Sequence, residues 1–384
     1  MSREFADRVT RIEPSATVAV SNLASELEAD GVDVVDLSVG EPDFPTPEVV
    51  SEAGKDAIDE GHTGYAPSNG IPELREEIAD ALGERGLSYG ADQLIVTPGG
   101  KQGLFETFQA LVDEGSEVVL LDPAWVSYEA MAKIAGADLN RVDLTPYDFQ
   151  LEPALDDLAE AVSDDTSLLV VNSPNNPTGA VYSEAALEGV RDLAVEHDVT
   201  VISDEIYDRI TYGGVEAPSL GALDGMGDRT VTLNGFSKAY SMTGWRLGYI
   251  AAPEDLIDQA GKLQSHSVTC ATHFVQHAGV TALRECDEFV AEMRDEFAER
   301  REMLADLFGD HGVDVPLGDG AFYMMVPVDE DDQAWCENAI EEAHVAMVPG
   351  SAFGAPGYAR LSYAASEQRL REGVQRLADG GFLG

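Results

Sequence analysis

Residues 234–249 read NGFSKAYSMTGWRLGY, and this stretch decides what the fold must hold. An apolar run ends at Asn234, a Ser–Lys pair follows at Ser237 and Lys238, and Arg246 lies eight residues beyond the lysine. A lysine amine, a hydroxyl and a guanidinium so grouped suit an aldehyde cofactor bonded to the amine, with the other two groups on its phosphate. The chain keeps only five lysines, at 55, 101, 133, 238 and 262, against 72 acidic residues. The plain alternative is a surface lysine beside a Gly-rich loop. Apolar and aromatic flanks, rather than acidic ones, argue against it.

Outward from that stretch, short apolar runs alternate with longer amphipathic segments from about residue 92. QLIVT (93–97), EVVLL (117–121), TSLLVV (166–171), VTVIS (199–203), TVTL (230–233) and LGYIA (247–251) predict buried strands. Between two of them, Ser183 to Glu196 repeats Leu187, Val190 and Leu193–Ala194 at helical spacing. Strands alternating with such helices predict an α/β fold with a mostly parallel central sheet. The C-terminal part is more helical, with Cys286 to Phe308 acidic and amphipathic. The expected division is a large domain over 45–284 and a smaller α+β domain built from 1–44 plus 285–384. At 384 residues the chain is long enough for roughly two domains.

The polar motifs fall just after the strands: Gly99-Gly100-Lys101, Asp122-Pro123, Asn176-Pro177, Asp204 and Ser237-Lys238. Open α/β sheets bind ligands at the carboxyl ends of their strands, so one shared site is expected. Gly99-Gly100-Lys101 opens a helix, and its free amides would cradle a phosphate; a tight strand–helix turn explains it equally well. NNPTG (175–179) is turn chemistry on any reading, though Asn176 could also donate to a ring oxygen. Asp204 ends a β-branched strand with Tyr207 three residues on. A carboxylate under a pyridine nitrogen keeps it protonated and makes the ring an electron sink. Without Lys238, an ordinary helix N-cap would be the better reading of Asp204.

SPNNPTG (173–179), SDEIY (203–207), SKAYSMTGWRLGY (237–249) and ARLSY (359–363) together resemble the class I pyridoxal-phosphate aminotransferases of fold type I. PSATVAV (14–20), GEPDF (40–44), GGKQ (99–102) and PAWVSY (123–128) bring the resemblance closest to the bacterial and archaeal aspartate aminotransferase branch. It runs over nearly the whole chain.

The resemblance implies pyridoxal 5'-phosphate as cofactor. Lys238 would bond to it and then shuttle the proton at the substrate Cα, Asp204 would pair with its ring nitrogen, and Tyr207 and Asn176 would reach its phenolic oxygen. Trp125 would stack on the ring, while Ser237, Arg246 and the amides of Gly100 and Lys101 would hold the phosphate. Tyr65, in GYAPSNG (64–70), resembles the tyrosine that reaches the neighbouring subunit's phosphate, implying a homodimer with shared sites. Arg360 resembles the arginine that clamps the substrate α-carboxylate through two parallel bonds, a geometry lysine lacks. An arginine paired with a surface acid is its plain alternative. The Gly40 backbone resembles a second carboxylate contact, and Lys101 and Thr17 the groups on the distal carboxylate of aspartate. The implied reaction moves an amino group between aspartate and 2-oxoglutarate. Aromatic or other neutral donors on the same scaffold, a lyase reaction, and a non-catalytic regulator of the same fold are the rivals. Similar enzymes that also use prephenate carry a basic residue just before the PSATVAV run, where this chain has Glu13.

Net charge narrows the partners. With 23 bases against 72 acids the chain carries −49, so nucleic acid and anionic membranes are excluded by repulsion. The acids are spread through periodic apolar sequence rather than gathered in a tail. With 18 arginines to five lysines, this reads as adaptation to a high-salt cytoplasm. Cys270, Cys286 and Cys336 have no CxxC spacing and suit a reducing interior. MSREFADRV lacks an apolar core and no apolar run approaches the length of a membrane span, so a soluble, cytoplasmic protein is expected. His273 and His277 are four apart in HFVQH, but no HExxH glutamate or further ligand is evident, so core or interface histidines and no metal are expected. Met324-Met325, after GAFY, is expected to be core.

Overall fold

A computed structural model describes residues 5–328 and 331–383. Twelve strands lie among them: β1 (Val35–Asp36), β2 (Leu94–Thr97), β3 (Glu117–Asp122), β4 (Asp138–Asp143), β5 (Thr166–Asn172), β6 (Thr200–Asp204), β7 (Thr230–Gly235), β8 (Gly248–Ala251), β9 (Tyr323–Pro327), β10 (Val345–Ala346), β11 (Val348–Pro349) and β12 (Tyr358–Ser362). The main sheet has the order β2-β8-β7-β6-β5-β3-β4. Its β7-β6-β5-β3-β4 part is parallel, and only β8 runs antiparallel, to both β2 and β7.

All six predicted strands are present, with ends shifted by a residue or two. They read as continuous apolar runs because helices cover both faces of the sheet. Val118 and Leu120 pack with Leu104, Phe108 and Ile257 on one side. Val119 and Leu121, their alternates, pack with Leu158, Leu187 and Val190 on the other. Ser183 caps the helix Glu184–Glu196, its Oγ accepting from the Ala186 amide at 3.1 Å. Such a cap is worth about 1 kcal/mol. Sequence reading missed β4: DLNRVD carries little apolar signal because it is the sheet's edge, where only Val142 is fully buried.

β11, β12 and β9 form a second, antiparallel sheet, and ARLSY supplies most of β12. The helix Asp287–Asp310 buries Met293, Phe297, Leu304 and Phe308 in the same cluster as Phe322, Leu361 and Leu370. β1 pairs with β10, so the N-terminal segment joins this C-terminal cluster through Val35 and Leu37. Met324 and Met325 are buried core residues, and the three cysteines are free. Among the described residues, no helix is long and apolar enough to cross a membrane.

Candidate active site

The carboxyl ends of β2, β5, β6 and β7 open into one cavity of about 450 Å³. β2 hands over to the helix Gly100–Leu111 at Gly99, which takes a φ of 82°. A Cβ there would stand 2.5 Å from Arg246 Nη2, and one on Gly248 would overlap the Gly100 amide. These two glycines therefore let a helix N-terminus, β8 and a guanidinium meet. Free amides beside a guanidinium form an anion site. Arg246 Nη1 donates only to Thr243 O, at 2.8 Å, with no carboxylate paired to it among the described residues. Ser237 lines the same end of the cavity.

Asp204, the last residue of β6, is 3% exposed. Its Oδ2 accepts from the Tyr128 hydroxyl at 2.7 Å and its Oδ1 from the Ile206 amide at 3.2 Å. No helix starts at Asp204, so the N-cap alternative fails. Burial pushes its carboxyl up to about 6, against the pull of those two donors. In the same cavity, Lys238 Nζ donates to Gly40 O and lies 5.6 Å from the Tyr207 and Phe322 ring centroids. Burial pushes the Lys238 amine down to about 8, with the Arg360 guanidinium adding to the effect. Tyr207 shares a 2.9 Å hydroxyl contact with Tyr323, and burial, reinforced by Tyr323, holds its phenol well above the usual value.

Arg360 in β12 is 2% exposed and lies 4.7 Å from the Tyr323 ring centroid and 5.0 Å from that of Phe353. It donates to Asn176 Oδ1 at 3.1 Å and to Ser38 O at 2.5 Å, while its Nε has no partner. The surface-acid alternative is thereby excluded. In the same cavity, Lys101 Nζ sits 4.6 Å from the Trp125 ring centroid. Thr17, on the helix Ala16–Ala29, contributes a hydroxyl 2.9 Å from Ser15 Oγ. Gly40 has no room for a side chain, since a Cβ would lie 2.5 Å from the Tyr323 hydroxyl.

Every predicted site residue except Tyr65 lines this cavity. Tyr65 is 85% exposed and lies outside it. Sequence reading missed Tyr128 and Tyr323. Tyr128 stands three residues past Trp125 on the helix Val126–Ala135, so helical spacing could have found it. Tyr323 was visible only as the neighbour of Met324. His62, from a distant part of the chain, brings a third imidazole to His273 and His277.

The cavity thus presents a buried carboxylate with no ion pair among the described residues, a guanidinium beside free amides, and a second, buried guanidinium with an orphaned donor. Pyridoxal 5'-phosphate offers a protonatable ring nitrogen for the first and a phosphate for the second. A substrate carboxylate answers the third, and Lys238 is the amine that could bond to the aldehyde. The residues present fit the cofactor.

Such a cavity on a doubly covered α/β sheet defines a transferase of the fold type I kind. The chain belongs to the class I and II aminotransferases, whose family model matches residues 32–377. It is 43% identical to the aspartate/prephenate aminotransferase of Thermus thermophilus, with 98% of each chain covered. The aspartate aminotransferase of Bacillus subtilis is 39% identical, over 97% of this chain and 98% of that protein. The solved structure of the Thermus thermophilus aspartate aminotransferase with maleate superposes with a TM-score of 0.95 at 43% identity, covering 99% of this chain and 100% of that one.

Proposed function

We propose that this aminotransferase moves the amino group of aspartate to 2-oxoglutarate, with pyridoxal 5'-phosphate held in the cavity. One observation carries the substrate choice: besides Arg246 and Lys238, the cavity lining offers two further cationic side chains. Buried Arg360 is one and Lys101 beside Trp125 is the other. A dicarboxylate matches both, and an aromatic donor only one.

When bound, pyridoxal 5'-phosphate supplies a conjugated ring that accepts the electron pair left at the substrate Cα. The chain supplies the rest. Lys238 Nζ, depressed to about 8, has an appreciable unprotonated fraction near neutral pH and moves the Cα proton. Asp204, fixed by Tyr128, holds a proton on the ring nitrogen. Arg360 and Asn176 orient the α-carboxylate, Tyr207 and Asn176 reach the phenolic oxygen, and the Gly40 carbonyl backs the site. The backbone amides of Gly100 and Lys101, with Ser237 and Arg246, would hold the phosphate, which leaves the Lys101 ammonium for the substrate. Tyr65, absent from its own cavity and exposed, reaches the site of a second copy in a homodimer. The smaller lobe, 1–44 plus 285–384, carries Thr17, Gly40 and Arg360 to the cavity and closes it against 45–284.

Lys101→Ala tests the substrate. Steady-state assays should show kcat/KM for aspartate falling about 10- to 100-fold, the value of one charge-assisted contact, with phenylalanine nearly unaffected. Equal losses for both would make the neutral-donor reading correct, and pyruvate with ammonia among the products would point to a lyase. Prephenate, named for the Thermus relative, is the poorer acceptor on this reading. Glu13 places a negative charge just before the run that contains Thr17.

The charge carries a second expectation, that of a protein built for a salty cytoplasm. Acids so dense repel one another, and the Debye length lengthens from about 3 Å at 1 M salt to about 10 Å at 0.1 M. Thermal melts followed by circular dichroism should show the midpoint falling steadily as KCl is lowered over that range. A midpoint indifferent to salt would remove the halophilic reading.

A further inference from the structure

His62, His273 and His277 each offer a ring nitrogen within 4.8 Å of the other two, outside the cavity described above. We propose that they form a binding site for a divalent transition ion of the zinc class, which staples the segment after the helix Glu48–Asp59 to the start of the helix His273–Glu285.

The geometry is prepared in three ways. Gly61, with a φ of 91°, turns the chain just beyond the first helix, and the His62 amide bonds Ala57 O at 2.9 Å, so the imidazole swings toward the second helix. His273 and His277 lie four residues apart, hence on one helical face. The ring centroids of His62 and His277 stand 4.0 Å apart, and those of His62 and His273 5.1 Å apart.

Ligand chemistry points the same way. His273 Nδ1 contacts the Gly64 carbonyl at 3.2 Å, which places the proton on Nδ1 and leaves the Nε2 lone pair free. His277 Nε2 is buried without any hydrogen-bond partner, an orphan that a metal ion would satisfy. The Glu60 carboxylate lies 3.5 Å from His62 Nε2 and adds negative charge at the edge of the cluster.

Zinc bound by imidazole at about 2.0–2.1 Å needs tetrahedral ligand nitrogens roughly 3.3 Å apart. From separations of up to 4.8 Å the rings therefore close by up to about 1.5 Å, within the reach of side-chain rotation. Three imidazoles suit zinc, copper or nickel, whereas the scattered surface carboxylates suit magnesium or calcium.

The test uses the full-length holoenzyme, stripped with a chelator and titrated with zinc chloride by calorimetry in molar KCl with excess magnesium to occupy surface acids. One tight site per chain is expected, weakened roughly 10-fold or more in His62→Asn and lost in the double variant His273→Asn/His277→Asn. X-ray absorption should show imidazole nitrogen around the zinc, and zinc should raise the melting midpoint of the wild type but not of the double variant. His62→Asn, changed on a half-exposed chain segment, keeps the test sound if the double variant folds poorly. No saturable site in the wild type, or binding unchanged in both variants, overturns the proposal.

Discussion

Lys238→Ala should leave a folded protein whose transamination rate is lower by more than roughly 10⁴-fold, the upper end of what one positioned acid–base group contributes. The loss should fall on kcat, because the amine acts at the Cα proton rather than on the carboxylates that hold the substrate. Added small primary amines should restore part of the rate, in proportion to their basicity. Arg246 and Asp204 do not depend on the lysine, so the variant should still bind pyridoxal 5'-phosphate, but without a covalent link. Borohydride reduction followed by peptide mapping should find the cofactor on residue 238 of the wild type and on no lysine of the variant. A variant with a substantial fraction of wild-type rate would refute the assignment.

The same lysine has a stability signature in the cofactor-free protein. Its folded value of about 8 lies below the ordinary 10.5, so between those limits the unfolded chain binds more protons than the folded one. Stability due to this group therefore rises with pH across that window. Below pH 8 the buried amine carries its full penalty, on the order of 3 kcal/mol. Lys238→Met should be the more stable protein at pH 7, with the difference shrinking toward pH 10.5.

Much of this site was legible because its motifs are local. Ser237-Lys238, Asp204 with Tyr207, and Gly99-Gly100 each sit at the end of an apolar run, and strands of a parallel sheet bring such ends to one edge. What escaped reading depends on pairing across the chain. Arg360 meets Ser38 and Asn176, 322 and 184 residues away, and nothing local in ARLSY reveals that its guanidinium has no carboxylate partner. His62 reaches His273 and His277 only through the packing of the helix Glu48–Asp59 on the helix His273–Glu285. β4 was missed for the opposite reason: an edge strand buries one face poorly and keeps polar residues that deter pairing with another chain.

Arg360→Met should separate stability from activity in opposite directions. The guanidinium is buried, stacked between Tyr323 and Phe353, and lacks a carboxylate among the described residues, so the substrate-free fold bears the cost of an uncompensated charge. A methionine of similar length removes that cost, and the melting midpoint should hold or rise. Catalysis should suffer badly. Losing one side of a buried, hydrogen-bonded charge pair costs about 2–5 kcal/mol, or roughly 30- to 5000-fold in kcat/KM. Because every amino acid and every 2-oxo acid brings the same α-carboxylate, aspartate, glutamate and phenylalanine should lose alike, unlike the selective loss expected of Lys101→Ala. Arg360→Lys should recover little, since one ammonium cannot make two parallel bonds to a carboxylate. A destabilised Arg360→Met with near-normal kinetics would mean that the guanidinium serves the fold through Ser38 and Asn176, and that the substrate carboxylate is held elsewhere.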